Sequence, residues 1–267
     1  MMANRGDEPG MFHGIPFDVY RAWPGLNMSL LKEITRSPGH LQHRRENPIV
    51  ATPVMTFGSA VDCLLFDGQE AFDAQYAIKP PGFDGRTKLG KEWAKQQAGL
   101  EIVSGAVLDC VTAIRENANA LDLVDAGQSQ LSIVWTDEET GILCKGRLDL
   151  YQSDVHLITD LKTTGDSDPE AFAKLAANYK YSWQAAWYCD GMAAITGQPH
   201  DEFMYIVAER DPPHRVEVMR LGMAELEMGR AEYREALRLY AQCEANNHWP
   251  TSTGEIQTLR FPGWAFK

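Results

Sequence analysis

The sequence predicts an α/β fold in which a central mixed sheet is flanked by helices. The first observation is that residues 130–164 alternate in polarity with period two and contain the turn DEETG, which is typical of three consecutive strands. The second is a later strand pair, EFMYIVAE and HRVEVMRL. The third is helical periodicity before, between and after these strands, and such alternation is typical of layered α/β folds.

The helices are predicted from caps and periodicity. NMSLLKEITRSPGHLQHRRE offers an N-cap at Asn27 or Ser29, and its Ser-Pro pair at 37–38 interrupts the first helix. Residues 87–98 and 104–120 predict further helices. DPEAFAKLAANY begins with Asp168 and Pro169, which suit the N-cap and the first helical position. YSWQAAWYCDGMAAITG and the amphipathic MAELEMGRAEYREALRLYAQCEAN complete the set.

The length of 267 residues predicts one large domain. We divide it into an N-terminal helical part at about 1–125, a sheet core at about 126–220, and a C-terminal helix with an irregular tail at about 221–267. No apolar run approaches the ~20 residues of a membrane span, and MMANRGDEPGMFHGIP lacks the pattern of a signal peptide. These features predict a cytoplasmic protein.

Composition narrows the possible functions. The sequence has five scattered cysteines, Cys63, Cys110, Cys144, Cys189 and Cys243, and no CxxC motif. We therefore expect these cysteines to be reduced and packed in the core. The net charge of −12 argues against a generally basic nucleic-acid binder, although it leaves room for a local basic groove. The sequence has neither a phosphate loop nor a GxSxG elbow, and its histidines show no metal spacing.

GRLDLYQSDVHLITDLKTT, residues 146–164, places two carboxylates and a lysine in two predicted strands. Alternation puts Asp160 and Lys162 on the face of Ile158 in the second strand. In the first strand it predicts that Lys145, Arg147, Asp149 and Tyr151 share one face and that Cys144, Leu148 and Leu150 share the other. If the turn centres between residues 154 and 155, Asp149 lies opposite Asp160.

Two opposed carboxylates repel each other and raise each other's pKa unless a cation lies between them. A divalent cation with oxygen ligands removes this conflict. Lys162 then lies where it can orient a water or stabilise developing phosphoryl charge. The alternative is a surface ion-pair ladder between Asp149 and Lys162, with Asp160 exposed. The apolar residues around LITDLKTT weaken that alternative, because an uncompensated charge in a sheet interior is costly.

These residues also carry a family resemblance. GRLD at 146–149, DLKTT at 160–164 and the Q-x-x-x-Y of Gln184 and Tyr188 resemble the PD-(D/E)xK nuclease signature. Within that superfamily the chain most resembles the RecB-like branch and its exonuclease VIII (RecE) family of phage and prophage recombination nucleases. The resemblance extends over NMSLLKEITRSPGHLQH, FGSAVDCLLFD, WTDEETGILCKGRLDL and WPTSTGEIQTLRFPGWA, which is most of the chain.

The resemblance implies a restriction-endonuclease-like core with Mg²⁺ or Mn²⁺ as cofactor. It implies that Asp149, Asp160 and the backbone carbonyl of Leu161 bind the metal and that Lys162 assists the attacking water. Gln184 and Tyr188 are one helical turn apart, so they share a face that can meet the scissile phosphate. Without the resemblance, these two residues are an ordinary helix flank.

Two positions depart from the family pattern. The family's Gly-motif helix usually offers a metal-binding His at the position of Asp62 in GSAVD. Asp62 is either a third ligand, from a helix whose small residues Gly58, Ser59 and Ala60 permit close approach to the sheet, or a plain surface carboxylate. The strand before the hairpin often carries Glu where this chain has Gln130, and an amide is the weaker ligand.

Basic residues supply candidates for a DNA path, with Arg147 favoured because the strand period puts it beside Asp149. The others that we select are Lys145, Arg86, Lys88 and Arg36. A solvated helix face accounts for each of them equally well.

The resemblance implies a metal-dependent exonuclease that resects linear duplex DNA ends, 5′ to 3′, for recombination by single-strand annealing. It further implies a homo-oligomeric ring, trimer or tetramer, and a single-strand annealing protein as partner. Two alternatives remain open: a catalytically weakened module that binds DNA ends, and an endonuclease on the same core. Activity on a covalently closed circle and on linear DNA separates the three: an endonuclease cuts the circle, an exonuclease needs an end, and a binding module cuts neither.

Overall fold

The computed structural model describes residues 6–256, 258–261 and 263–266, and its centre is a six-stranded sheet. In spatial order its strands are β1 (Gly10–Phe12), β4 (Gln128–Thr136), β5 (Leu143–Gln152), β6 (Leu157–Thr164), β7 (Glu202–Glu209) and β8 (Val216–Arg220). The pairing of β6 with β7 is parallel and the other pairings are antiparallel, so the sheet is mixed as predicted. β2 (Tyr76–Ile78) and β3 (Glu101–Val103) form a separate parallel pair.

Helices cover both faces of the large sheet. The described α-helices are α1 (Phe17–Ala22), α2 (Met28–Leu31), α3 (Pro38–Glu46), α4 (Pro53–Asp62), α5 (Gln69–Gln75), α6 (Lys88–Gln96), α7 (Ala106–Glu116), α8 (Ala118–Ala126), α9 (Pro169–Asn178), α10 (Tyr181–Thr196) and α11 (Met223–Asn246). A 3₁₀ turn, Lys32–Thr35, follows α2, and a π-helical turn, Cys63–Asp67, continues α4. None of the described helices is long and apolar enough to span a bilayer.

Two apolar cores lie on the two faces of the sheet. Residues of α2, α10 and α11 pack with Leu148 and Ile158 in the first core. Residues of α4, α7 and α8 pack with Leu150, Leu157 and Leu161 in the second. The opposite placement of Ile158 and Leu157 confirms the predicted alternation in β6. All five cysteines are buried and free, which agrees with their predicted packing.

The predicted helix starts are confirmed where a capping side chain is present. The Asn27 side chain accepts a hydrogen bond from the Leu30 N–H at 2.9 Å, and this selects Asn27 over Ser29 as the cap of α2. The Ser37 side chain caps α3, so the Ser-Pro pair does divide the first helical segment. Asp168 caps α9 through the N–H groups of Glu170 and Ala171.

The alternation predicted for β5 is wrong after Leu148. Leu148 and Tyr151 both lie in the first core, whereas Leu150 lies in the second, so the strand changes faces near Asp149. The cause is in β4, where Gln130 has a left-handed φ of 55° and the pairing skips Gln130 and Asp149. A left-handed residue interrupts the regular pleat. The irregularity therefore falls at Asp149, the residue of β5 that the pairing skips.

The N-terminal part is not only helical as predicted, because β1 pairs with β4 and forms one edge of the large sheet. The strands β1, β2 and β3 are three residues each, too short to show an alternating pattern. The predicted helix 104–120 is two helices, α7 and α8, separated at Asn117, whose side chain caps α8. Residues 1–5 of the proposed N-terminal part, and 257, 262 and 267 of the tail, lie outside the described residues.

Candidate active site

The two aspartates of the central hairpin come together where its strands begin to separate. The β5–β6 ladder runs from Gln152 and Leu157 to Leu150 and Thr159, so Asp149 and Asp160 occupy the next opposed positions, as predicted. One Asp149 carboxylate oxygen, Oδ2, accepts a hydrogen bond from the backbone N–H of Leu161 at 2.7 Å. The Asp149 side chain therefore binds β6 at the point where the regular ladder stops.

Asp160 is buried, with 2% of its surface exposed, and both of its carboxylate oxygens are bound. Oδ1 accepts a hydrogen bond from Gln184 Nε2 at 2.8 Å, and Oδ2 contacts the ammonium of Lys162. Since 16% of the Lys162 side chain is exposed, the pair lies below the surface but within reach of solvent. The alternative of an exposed ion-pair ladder does not fit this burial.

The carboxylates oppose one another electrostatically. Burial raises the pKa of Asp149 well above its usual range, and the charges of Asp160 and Asp62 raise it further. Burial alone lowers the pKa of Lys162, but the Asp160 and Asp149 charges outweigh that effect and the pKa is raised. Lys162 is therefore a charged ammonium at neutral pH, and one cation faces two carboxylates.

Gln184 and Tyr188 share one face of α10, and that face lies against the hairpin. The Gln184 amide donates to Asp160 and lies 3.3 Å from the Tyr188 hydroxyl. The Tyr188 ring lies against β5 at Gly146, where a Cβ atom would come within 2.9 Å of the ring carbon Cε1. Glycine in the GRLD motif therefore leaves the space that the tyrosine ring occupies.

Asp62 approaches from the other side of the sheet. It ends α4 where the helix passes into the π-helical turn, a distortion often found at functional sites. Gly58 makes the expected close approach, since a Cβ there would lie 3.2 Å from Thr163 Oγ1, whereas Ser59 is exposed. Burial raises the pKa of Asp62 to about 7, with Asp67 and Asp160 adding to it against Gln130 and Arg147.

Gln130 links Asp62 to Arg147. Its Nε2 donates to Asp62 Oδ2 at 2.8 Å, and its Oε1 accepts from Arg147 Nε at 2.6 Å. Arg147 Nη1 also donates to the backbone carbonyl of Ile15 at 2.6 Å. Gln130 stands where the family often has a Glu, yet both of its polar side-chain atoms bind protein groups. It thus holds the Asp62 carboxylate in place.

Hard oxygen donors suit Mg²⁺ and Mn²⁺, and the hairpin offers the Asp149 and Asp160 carboxylates together with the Leu161 carbonyl. Burial first, and then the charges of Asp160 and Asp62, raise the pKa of Asp149, and a divalent cation among these oxygens would oppose that rise, so the donor set fits one. No three His, Cys, Asp or Glu side chains among the described residues form a ready metal cage. Asp62 comes from the opposite face of the sheet, where Gln130 holds one of its carboxylate oxygens, and its place in the metal site stays a prediction.

The prediction that Lys145 lines a DNA path is wrong. Only 3% of its surface is exposed, and its ammonium donates to the backbone carbonyls of Tyr20, Arg21 and Trp23 at 3.1, 3.2 and 2.5 Å. These carbonyls belong to the C-terminal end of α1, where unpaired acceptors attract a cation. Lys145 therefore anchors the N-terminal segment to β5.

Arg147 is likewise not a free phosphate ligand, because its guanidinium is bound by protein groups: Gln130, Ile15 and Ser132. The other three predicted DNA ligands are exposed and each has an acidic neighbour: Arg36 with Glu33, Arg86 with Asp84, and Lys88 with Glu92. None of these three contacts the described groups of the hairpin site. They remain predictions.

Sequence reasoning missed a basic and aromatic group beside Lys162. The ammonium of Lys32 lies 5.6 Å from the centre of the Tyr181 ring, and that of Lys162 lies 4.8 Å from the same centre. Lys180 and the exposed Tyr179 complete the group. The YKYSW stretch at 179–183 mixes basic and aromatic residues, and this mixture is the sequence feature that could have indicated the group. Lys32 could not be recognised from the sequence, because a single lysine on a helix is ordinary.

A sheet whose hairpin carries Asp149, Asp160 and Lys162, backed by the Gln184–Tyr188 face, defines a PD-(D/E)xK-like site. Residues 27–262 match the model of a family described as "PDDEXK-like domain of unknown function (DUF3799)". Since the match covers most of the chain, the protein belongs to this family. No curated protein matches the sequence.

One solved structure agrees with the fold, and a second gives a weaker match. A crystal structure described as "Putative exonuclease" from Eubacterium rectale is similar with a TM-score of 0.56 at 14% identity, covering 91% of this chain and 92% of that one. A phage related exonuclease from Haemophilus somnus has a TM-score of 0.34 at 13% identity, covering 63% of this chain and 91% of that one. At these identities the first similarity shows the fold alone, and the second carries no argument.

Proposed function

We propose that this protein is a metal-dependent exodeoxyribonuclease that resects the ends of linear duplex DNA, 5′ to 3′. The observation that carries the proposal is the meeting of Asp149, Asp160 and Lys162 at one opening of the hairpin. Family membership and the similarity to a structure described as an exonuclease support it. In this proposal the resected ends serve recombination by single-strand annealing.

The Asp149 and Asp160 carboxylates and the Leu161 carbonyl would hold Mg²⁺ or Mn²⁺. Such an ion supplies positive charge that makes a water more acidic and stabilises phosphoryl oxygens. Lys162 carries its ammonium beside the same oxygens and donates hydrogen bonds to the attacking water or to the phosphate as charge develops. Gln184 fixes the orientation of Asp160, and Tyr188 is within hydrogen-bond distance of Gln184.

A second candidate function is a DNA-end-binding module with weakened catalysis. The absence of a three-residue metal cage among the described side chains favours it. An endonuclease on the same core is the remaining alternative.

The test uses linear duplex DNA labelled at the 5′ or the 3′ end and a covalently closed supercoiled circle. We expect degradation of the linear DNA in Mg²⁺ or Mn²⁺, none in EDTA and little in Ca²⁺, whose larger and looser coordination positions the reactants less well. Early release of the 5′ label, with the 3′ label retained on long strands, indicates the proposed polarity. The circle should remain intact because it has no end.

The other outcomes separate the candidates. Cutting of the circle would support the endonuclease instead. Binding of the linear DNA without cleavage, in each of the metals, would support the binding module. Degradation that persists in EDTA contradicts the metal dependence on which the proposal rests.

The role of Asp62 is tested by Asp62→Ala. If its charge contributes to the metal site, the Mg²⁺ concentration for half-maximal cleavage should rise about tenfold, the low end for groups that support metal ligands. Gln130→Leu should shift the same titration in the same direction, because it releases Asp62 from a 2.8 Å hydrogen bond. Glu70→Ala, at an exposed carboxylate of α5, is the matched control and should leave the titration unchanged. Unchanged titrations would restrict the site to Asp149, Asp160 and Lys162.

The proposed assembly is a homo-oligomeric ring, a trimer or tetramer, that encloses DNA and works with a single-strand annealing protein. An acidic outside with a basic lumen reconciles this arrangement with the net charge of −12. In this arrangement the exposed Arg36, Arg86 and Lys88 are candidates for the lumen. Light scattering of the purified protein gives the number of subunits directly.

A further inference from the structure

Three ammonium groups lie in one neighbourhood, and two of them are close to the Asp160 carboxylate. The first is Lys162, which contacts Asp160, and the second is Lys32, whose ammonium shares the Tyr181 ring with that of Lys162. The third is Lys180, which begins α10 in a left-handed conformation with φ of 52°. Left-handed backbone is uncommon for a non-glycine residue and often marks a functional segment.

Lys32 is the member of this group without a carboxylate partner. Lys162 pairs with Asp160 and Lys180 pairs with Glu232 at 3.0 Å, whereas no described carboxylate lies within ion-pair distance of Lys32. Its ammonium donates one hydrogen bond, to the backbone carbonyl of Tyr179 at 2.9 Å. Burial and the nearby charge of Lys162 lower the pKa of Lys32 to about 7. A half-buried cation next to a second cation is a position where an anion binds favourably.

An exposed aromatic ring lies next to this cation. Tyr179 is 62% exposed, and its ring stacks on that of Tyr181 with centres 5.9 Å apart and planes inclined by 20°. Its outer face is therefore available, while its inner face is supported by a ring that also contacts Lys162 and Lys32. An ammonium beside a free aromatic face is the combination that binds single-stranded nucleic acid, through a phosphate and a stacked base.

We propose that Lys32 and Tyr179 form a nucleotide subsite next to the Asp160–Lys162 pair. Lys32 binds a backbone phosphate and the Tyr179 ring stacks on the base of a nucleotide in single-stranded form. The inference rests on the proposed nuclease function and adds that the strand enters the site unpaired. A base inside a duplex has both faces covered, so stacking on Tyr179 requires a base that has left the duplex.

The test is the binding of a labelled short oligothymidylate in EDTA, measured by fluorescence anisotropy, together with a chain of equal length whose central nucleotides are abasic. Lys32→Met should weaken binding of both oligonucleotides and reduce the slope of log K against log salt by about 0.7, the change for one phosphate of a single strand. Tyr179→Ala should weaken binding of the thymidylate at least about fivefold, the low end for base stacking, but not that of the abasic chain. Tyr179→Phe should bind like wild type.

Lys95→Met, at an exposed lysine of α6, is the matched control and should change neither affinity nor salt slope. Thermal unfolding establishes whether each variant is folded. If Lys32→Met does not fold, Tyr179→Ala still tests the subsite. If wild type cleaves linear DNA but Lys32→Met and Tyr179→Ala bind as wild type does, the subsite is wrong and the proposed function stands. If wild type neither binds nor cleaves DNA, both are wrong.

Discussion

Asp149→Asn should abolish cleavage of linear duplex DNA and, in the absence of metal, raise the melting temperature of the protein. The loss of activity should be on the order of 10³-fold, because the substitution removes the charge of a proposed metal ligand and several kcal/mol of transition-state stabilisation with it. Asparagine has the shape of aspartate, and its carbonyl oxygen can still accept the hydrogen bond from the Leu161 N–H.

The gain in stability follows from the raised pKa of Asp149. A carboxyl whose pKa is higher in the folded than in the unfolded state binds its proton more tightly when folded. Folding stability therefore falls as the pH rises above the unfolded pKa of about 3.9. Asparagine does not ionise, so the variant should be more stable than wild type at pH 8 in EDTA, and the difference should shrink as the pH approaches 4. An increase of about 1 kcal/mol raises the melting temperature by roughly 2–4 °C in a domain of about this size.

Asp154→Asn, in the exposed turn of the same hairpin, is the matched control and should leave both activity and melting temperature near wild type. The two readouts separate a functional from a structural aspartate. If Asp149 served the fold, its substitution would lower activity and stability together, and that result would contradict its assignment to a metal site.

The hairpin was predictable from the sequence because its register depends on local features. Alternation in LITDLKTT and a short polar turn place Asp160 opposite Asp149, and the structure has this register. The caps at Asn27 and Asp168 and the interruption at Ser37 were predictable for the same reason, since a cap or a break acts within one helical turn.

What the sequence did not predict depends on contacts between distant segments. Lys145 is polar and alternates with apolar neighbours, as a surface residue would, yet carbonyls more than 120 positions away bind its ammonium. The change of face at Asp149 depends on the left-handed Gln130 in the neighbouring strand, and a glutamine gives no local signal for that conformation. Lys32 becomes distinctive only when Lys162 lies beside it.

Lys162→Met should lower the rate of cleavage by a factor on the order of 10² while leaving duplex binding in EDTA nearly unchanged. Methionine retains much of the apolar stem of Lys162 and removes only the ammonium, which lies 4.8 Å from the centre of the Tyr181 ring. The raised pKa keeps Lys162 charged at neutral pH, so it serves as a donor and not as a general base. The interaction of Lys162 with the phosphate should strengthen as charge develops in the transition state. Its removal therefore lowers the rate of cleavage much more than the affinity for DNA.

Single-turnover rates at saturating DNA, together with dissociation constants measured in EDTA, separate the two effects. Lys174→Met, at an exposed lysine of α9, is the matched control and should change neither. Thermal unfolding of Lys162→Met is part of the test, because the substitution leaves Asp160 with Gln184 as its remaining described hydrogen-bond partner. If the rate and the affinity fall by the same factor, Lys162 anchors a phosphate in the ground state, and transition-state stabilisation must come from the groups that hold the metal.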